Sequence, residues 1–173
     1  AVNSPQVLML SGIGPAEHLR EMGIDVVVGL NEVGENLHDH PAAAIIYTTK
    51  KTTDLVDYAN PRRLVQWQLT GRGPMASNVG EAGGFIATAD GLPAPDMQFI
   101  VAPTLFYDNG LHEPTARGFT GATVHVAPKS RGRLRLRSNN PQWRPSIDPA
   151  YYADPSDMDV MVAGIRMQQE IYE

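Results

Sequence analysis

The apolar positions change their period once along the chain. Before residue 41 they arrive in short, helix-sized groups. Ser4-Pro5 pairs an N-cap residue type with a first-turn proline, Val7, Leu8 and Leu10 follow, and Gly12 stops the run. Pro15 opens a second helix over 15–22, with Leu19 and Met22 on one side and Gly23 as its end. Residues 24–28 read as a buried strand. Helix, turn, helix and strand in this order belong to an α/β arrangement.

After Pro41 strand-sized runs take over. Residues 43–49, 82–88, 97–102, 121–127 and 133–137 predict strands with turn residues between them, so an antiparallel sheet is expected. Asn60-Pro61 starts a helix carrying Leu64, Val65, Trp67 and Leu69, and Gly71-Arg72-Gly73-Pro74 closes it. Asp154-Pro155-Ser156-Asp157 is a stronger start, because its acids face the positive end of the helix dipole. Met158, Met161, Val162, Ile165 and Tyr172 then mark the face expected to be buried. The fold class is α+β, with a seam near residue 41.

Charge and composition narrow the chemistry. Fourteen Lys and Arg stand against 19 Asp and Glu, a net charge of −5, which disfavours a nucleic-acid binder. Lys129, Arg131, Arg133, Arg135 and Arg137 fall on alternate positions and share one strand face, with Leu134 and Leu136 toward the core. No aromatic residues interleave them for base stacking, so they read as a solvated face paired with acids. The absence of cysteine excludes disulfides, thiolate metal sites and cysteine nucleophiles. No apolar run reaches the roughly 20 residues that span a bilayer, and the opening residues lack a signal peptide's charged start and apolar stretch. The chain opens without methionine and stops inside a predicted helix, so an internal piece of a longer protein is expected, in a cytoplasmic setting.

Two stretches carry a resemblance. The run Asn3-Ser4-Pro5-Gln6-Val7-Leu8-Met9-Leu10-Ser11-Gly12-Ile13-Gly14-Pro15 and the run Val33-Gly34-Glu35-Asn36-Leu37-His38-Asp39-His40-Pro41 are similar to successive signatures of the glucose-methanol-choline (GMC) family of flavin-dependent alcohol oxidoreductases. The resemblance continues through Glu81-Ala82-Gly83-Gly84-Phe85, through 128–136 and through 145–151. It implies a Rossmann-like FAD-binding domain, of which 1–41 is a fragment. It also implies a substrate-binding domain over 42–150, with an antiparallel sheet flanked by helices. The helix over 151–173 either continues that domain or returns toward the first. The implied chemistry is hydride transfer from a small-molecule alcohol to the flavin, with oxygen, quinone or another species as electron acceptor. The family's catalytic histidine would lie beyond Glu173, so no catalytic residue is expected here.

The implied cofactor contacts are Ser4, Pro5, Ser11, Gly12 and Gly14, and then Asn36, Asp39 and His40. Tight helix caps, and side-chain bonds that fix the turn at 36–40, are the plainer reading of the same residues. Gly12-Ile13-Gly14 is followed by no third glycine, so the phosphate-binding loop of a dinucleotide fold is not in this chain. His38-Asp39-His40 is too small a cluster for a metal site, and none is expected. Glu81 and His125 are candidates for the substrate pocket. Glu81 would suit a cationic alcohol if Trp67, Phe85 and Tyr107 walled it, whereas His125 fits a sheet histidine. The alternative to an enzyme fragment is a non-catalytic α+β interaction module derived from the same family.

Overall fold

The computed structural model describes residues 2–50, 55, 60–112 and 114–173. The chain begins with α1 (Asn3–Leu10), β1 (Ile13–Gly14), α2 (Ala16–Glu21) and β2 (Val28–Gly29). It continues with β3 (Ala42–Thr48), α3 (Pro61–Thr70), β4 (Ala82–Ile86), β5 (Met97–Ala102) and β6 (Gly118–His125). It closes with β7 (Arg133–Arg135), β8 (Ser146–Asp148) and α4 (Pro155–Tyr172). Helices and antiparallel sheets together make the α+β class. These elements fall into two compact units, one of residues 1–39 with 128–158, the other of 40–127 with 159–173.

The first unit is built around Met9, Leu19, Leu134 and Leu136, all 5% exposed or less, with Leu10, Met22, Ile24, Val26 and Val33 packed against them. Leu134 and Leu136 face inward as the alternation predicts, although β7 ends at Arg135. β7 pairs antiparallel with β8, and Leu37 and Gly132 exchange backbone bonds of 2.9 and 2.8 Å. His18 Nε2 accepts the Leu136 N–H at 3.1 Å, fastening α2 to the strand.

Three expectations in this unit need correction. α1 starts before Ser4: Val2 is the cap residue and supplies no side-chain bond, so Ser4 and Pro5 lie within the first turn, where a missing N–H costs nothing. Its buried side is Gln6 and Met9, while Val7 and Leu8 are 60% and 41% exposed. The strand expected over 24–28 shrinks to Val28–Gly29, because its parallel partner β1 offers only two residues.

The second unit is a four-stranded antiparallel sheet in the order β3-β6-β5-β4. β4 stops at Ile86 because the Thr88 N–H and hydroxyl turn to the Asp96 carboxylate at 2.8 and 2.6 Å. β6 begins at Gly118, earlier than the sequence suggests, because residues 118–124 pair with β3. α3 forms as predicted: Asn60 Oδ1 accepts the Arg62 N–H at 2.9 Å, and Gly71 ends the helix at φ 65°. None of its residues is buried.

α4 starts as predicted, since Asp154 Oδ1 accepts the Ser156 N–H at 2.9 Å and the Ser156 hydroxyl at 2.7 Å. Those bonds hold the Asp154 carboxyl below its ordinary pKa. The buried face is the expected one only in part: Met161 is buried and Ile165 and Tyr172 are half-buried. Asp157, Met161, Gly164 and Gln168 are buried, whereas Met158 and Val162 are 44% and 37% exposed. Close approach decides this. A Cβ on Gly164 would sit 2.6 Å from Met97 Cε and 2.9 Å from Thr123 Cγ2, so only glycine lets the helix come this near the sheet.

Candidate functional site

The first candidate group sits at the start of α1. Asn3 and Ser4 are exposed, no side chain caps the helix, and Pro5 has no N–H to give. The first turn of α1 holds no acidic residue. Ser11, Gly12 and Gly14 are engaged differently. The Ser11 hydroxyl donates to the Val7 carbonyl at 2.8 Å. The Gly12 carbonyl accepts the Val27 and Val28 N–H groups at 2.8 and 3.1 Å, and the Gly14 carbonyl accepts that of Leu30 at 2.9 Å. A Cβ on Gly12 would lie 2.8 Å from Val27, and one on Gly14 would lie 2.9 Å from Met9. These glycines seat α1 closely on its neighbours.

The segment from Val33 follows a course that few residues allow. Gly34 has φ 89°, and a Cβ there would run into the Leu134 carbonyl oxygen. Asn36 has φ 60°, a left-handed conformation asparagine tolerates. Asp39 accepts the Tyr151 hydroxyl, and that bond, ahead of burial, raises the tyrosine's pKa. Both His38 and His40 are exposed. Among the described residues no group of three or more His, Cys, Asp or Glu is placed to hold a metal.

In the second unit the sheet has two unlike faces. α4 covers one: the Thr123 hydroxyl donates to Gln168 Oε1 at 2.8 Å, and Tyr47, Phe119 and Tyr172 cluster with ring centroids 5.1–5.4 Å apart. Period-two alternation puts Ile46, Phe85, Gln98, Ile100, Ala122 and Val124 on the other face. Phe85 is 62% exposed and Ile46 39%, so this apolar face is open.

His125 alternates with Thr123 on the covered face, 1% exposed, and its N–H donates to the Pro41 carbonyl at 3.0 Å. Glu81 precedes β4, exposed, with its N–H shared between the Val79 and Val101 carbonyls. The residues suggested as aromatic walls for Glu81 do not converge: Phe85 lines a cavity of about 410 Å³ with Ala82 and Ile100, without Trp67 or Tyr107. Trp67 lies on the exposed α3, and Tyr107 stacks with His112 at 6.3 Å between centroids. A cavity of about 370 Å³ is lined instead by Met75, Val79, Leu105, Phe106 and His112, with others. His112 and these apolar residues escaped the sequence reading, because they lie in loops with no periodicity to gather them. Asp108-Asn109-Gly110 signals only a turn.

The basic residues of 129–137 form no single patch. Arg135 pairs with Glu35, Arg131 donates to the Pro128 and Ser130 carbonyls, and Arg137 stands 5.9 Å over the Trp143 ring.

Two GMC oxidoreductase models match the chain, over residues 1–42 and 128–173. A GMC-type oxidoreductase of Mycobacterium bovis is 43% identical over 96% of this chain and 32% of its own length. An alcohol dehydrogenase (acceptor) of Pseudomonas putida is 40% identical over 100% of this chain and 32% of its own. The structure of an Aspergillus oryzae formate oxidase variant, solved for its FAD modification, superposes with a TM-score of 0.84 at 25% identity, covering 98% of this chain and 35% of that one. The chain thus spans about a third of the length of the curated relatives it matches. With both signature stretches inside the matched segments and the fold shared throughout, the chain belongs to the GMC oxidoreductase family.

Proposed function

We propose that this chain is part of an FAD-dependent oxidoreductase that acts on CH–OH groups and oxidises an alcohol to a carbonyl. One observation carries the reading: α4 closes one face of the β3-β6-β5-β4 sheet and leaves Phe85 and Ile46 exposed on the other, largely apolar face. Such a face suits a planar ring system or a small organic substrate, because either removes apolar area from water without stranding polar groups. Bound FAD would supply the hydride acceptor. This chain's residues hold and orient. Ser4 and Pro5, in the first turn of α1, are proposed as cofactor contacts. Asn36, Asp39 and His40 are proposed as further cofactor contacts, whereas Ser11, Gly12 and Gly14 contribute by seating α1.

The fit is partial. A glycine-rich pyrophosphate cradle is not among these residues, and both Gly12 and Gly14 are filled by the chain's own atoms. The chain alone is therefore proposed neither to hold FAD tightly nor to turn over alcohol. On this reading 1–41 belong to the FAD-binding domain and 42–150 to the substrate domain. Glu81 is the polar candidate on the substrate side, and His125 has a packing role. Oxygen, a quinone or another acceptor takes the electrons, and cytoplasmic residence is read by cell fractionation. An interaction module is not favoured, since enzyme-family models match both ends of the chain.

Flavin absorbance tests this directly. The whole protein should carry stoichiometric FAD and lose it when Ala122→Glu places a charge on the bare face. The 173-residue chain should purify colourless. A whole protein that never binds flavin sinks the proposal, and a yellow isolated chain sinks its second half.

A further inference from the structure

α3 turns its apolar side outward. At 3.6 residues per turn, Leu64, Val65, Trp67 and Leu69 share one wide side, with Pro61 and Gln68 between them, while Arg62, Arg63, Gln66 and Thr70 share the other. A surface helix ordinarily buries the first kind of side. Here the least exposed residue is Gln66, on the polar side, and Leu64, Val65, Trp67 and Leu69 are 40%, 52%, 41% and 80% exposed.

Local bonds hold the polar side. Gln66 Oε1 accepts an Arg63 Nη1 hydrogen at 2.9 Å, and the Gln66 carbonyl accepts the Thr70 hydroxyl at 2.6 Å. The Gln66 side chain also lies against Gly73, where a Cβ would stand 3.2 Å from its Cδ. The segment that turns back at Gly71 therefore takes the polar side of the helix, and the apolar side is left to the surroundings.

Charge says what those surroundings are. Residues 60–80 hold three arginines, Arg62, Arg63 and Arg72, and no Asp or Glu, in a chain whose net charge is −5. Positive charge is thus gathered where hydrocarbon is exposed. A second copy of α3 laid on this side would set arginines against arginines. An anionic lipid surface takes both features at once, because acyl carbon receives the apolar side chains and headgroup phosphates receive the guanidinium groups. Trp67 suits the headgroup level, where an amphipathic ring has carbon below and water above. With 10 residues the helix is about 15 Å long, too short to cross a bilayer, so it would lie in the plane of the surface.

We propose that α3 is a peripheral docking helix for an anionic lipid bilayer. Leu64, Val65, Trp67 and Leu69 enter the boundary between headgroups and acyl chains, and Arg62, Arg63 and Arg72 meet lipid phosphates. The proposal is independent of the alcohol-oxidising reading and of flavin content.

Vesicle flotation of the whole protein tests it. Vesicles of phosphatidylserine mixed with phosphatidylcholine should carry the protein at low salt and release it as salt rises, and phosphatidylcholine alone should carry far less. Replacing Arg62, Arg63 and Arg72 by Gln should weaken binding about fivefold per arginine. Leu69→Glu should weaken it at least about tenfold. Brominated phosphatidylcholine in the mixed vesicles should quench the part of the tryptophan emission that Trp67→Phe lacks. No residue of α3 is buried, so these variants should unfold at the parent's temperature; if Leu69→Glu does not, Leu69→Gln takes its place, with the same direction expected. The proposal is overturned if the whole protein ignores the mixed vesicles, or if it binds both kinds of vesicle equally. Unchanged binding in the arginine or Leu69 variants overturns it too. So does a concentration-dependent dimer that Leu69→Glu abolishes while lipid binding stays intact, since the apolar side would then belong to a second copy.

Discussion

Thr123 on β6 and Gln168 on α4 form a buried polar pair: the threonine hydroxyl donates to Oε1 at 2.8 Å, and the glutamine Nε2 donates to the Ala122 carbonyl at 3.2 Å. Both side chains are 1% exposed or less, so each depends on the other for satisfaction. Removing one partner strands the other. Gln168→Ala or Thr123→Val should each cost about 1–3 kcal/mol in urea unfolding. The double variant Thr123→Val with Gln168→Leu should recover much of the loss, because an apolar pair leaves nothing stranded. Additive losses would show that the pair is not coupled.

Gly34 and Gly71 offer a matched contrast. Both have positive φ, 89° and 65°, but only at Gly34 does a Cβ meet protein, the Leu134 carbonyl; nothing lies within 4 Å at Gly71. Gly71→Ala should cost about 1 kcal/mol of strain, and Gly34→Ala about 3 kcal/mol or more, read from thermal or urea unfolding. Equal losses would mean that the contact with Leu134 is irrelevant.

Asp157 accepts the Lys129 and Ser130 N–H groups at 2.8 Å each while 1% exposed, joining the start of α4 to the segment before β7. Asp157→Ala should destabilise by about 2–4 kcal/mol, since two buried donors lose a charged acceptor. Asp157→Asn, which keeps one acceptor, should fall between. Full stability in the alanine variant would contradict this assignment.

Tyr151 donates to Asp39, and that bond first, then burial, raises the phenol's pKa above its ordinary value. A raised folded-state pKa stabilises the protein below the unfolded-state value near pH 10, and that contribution is lost as pH climbs through the folded value. Ultraviolet titration should therefore show a tyrosine ionising late, and Tyr151→Phe should remove that phase. At neutral pH the same variant should lose little stability, since the side chain is 46% exposed. A late phase that persists in Tyr151→Phe would assign it to Tyr152 or Tyr172, whose pKa values burial also raises.

The local grammar of the chain was readable because it depends on neighbours in sequence. Asn60 and Asp154 cap their helices as their residue types require, Gly12, Gly23 and Gly71 end helices with positive φ, and β5 spans the predicted residues. The two family signatures were equally visible, being contiguous strings. The cavity was not, because Met75, Leu105 and His112 come from separate loops whose nearness no period encodes.

The sequence by itself determined where the helices and the long strands of the sheet lie, the caps of α3 and α4, and to which family the signatures belong, since each follows from short-range sterics, hydrogen bonding and residue order. Only the tertiary structure decided what those segments pack against and, for the helices, which side they bury. Leu134 and Leu136 join Met9 and Leu19 from more than a hundred residues away. α4 buries Gly164 and Gln168 rather than Met158 and Val162, because close approach to Met97 and a partner at Thr123 outweigh the hydrophobic count along its own surface.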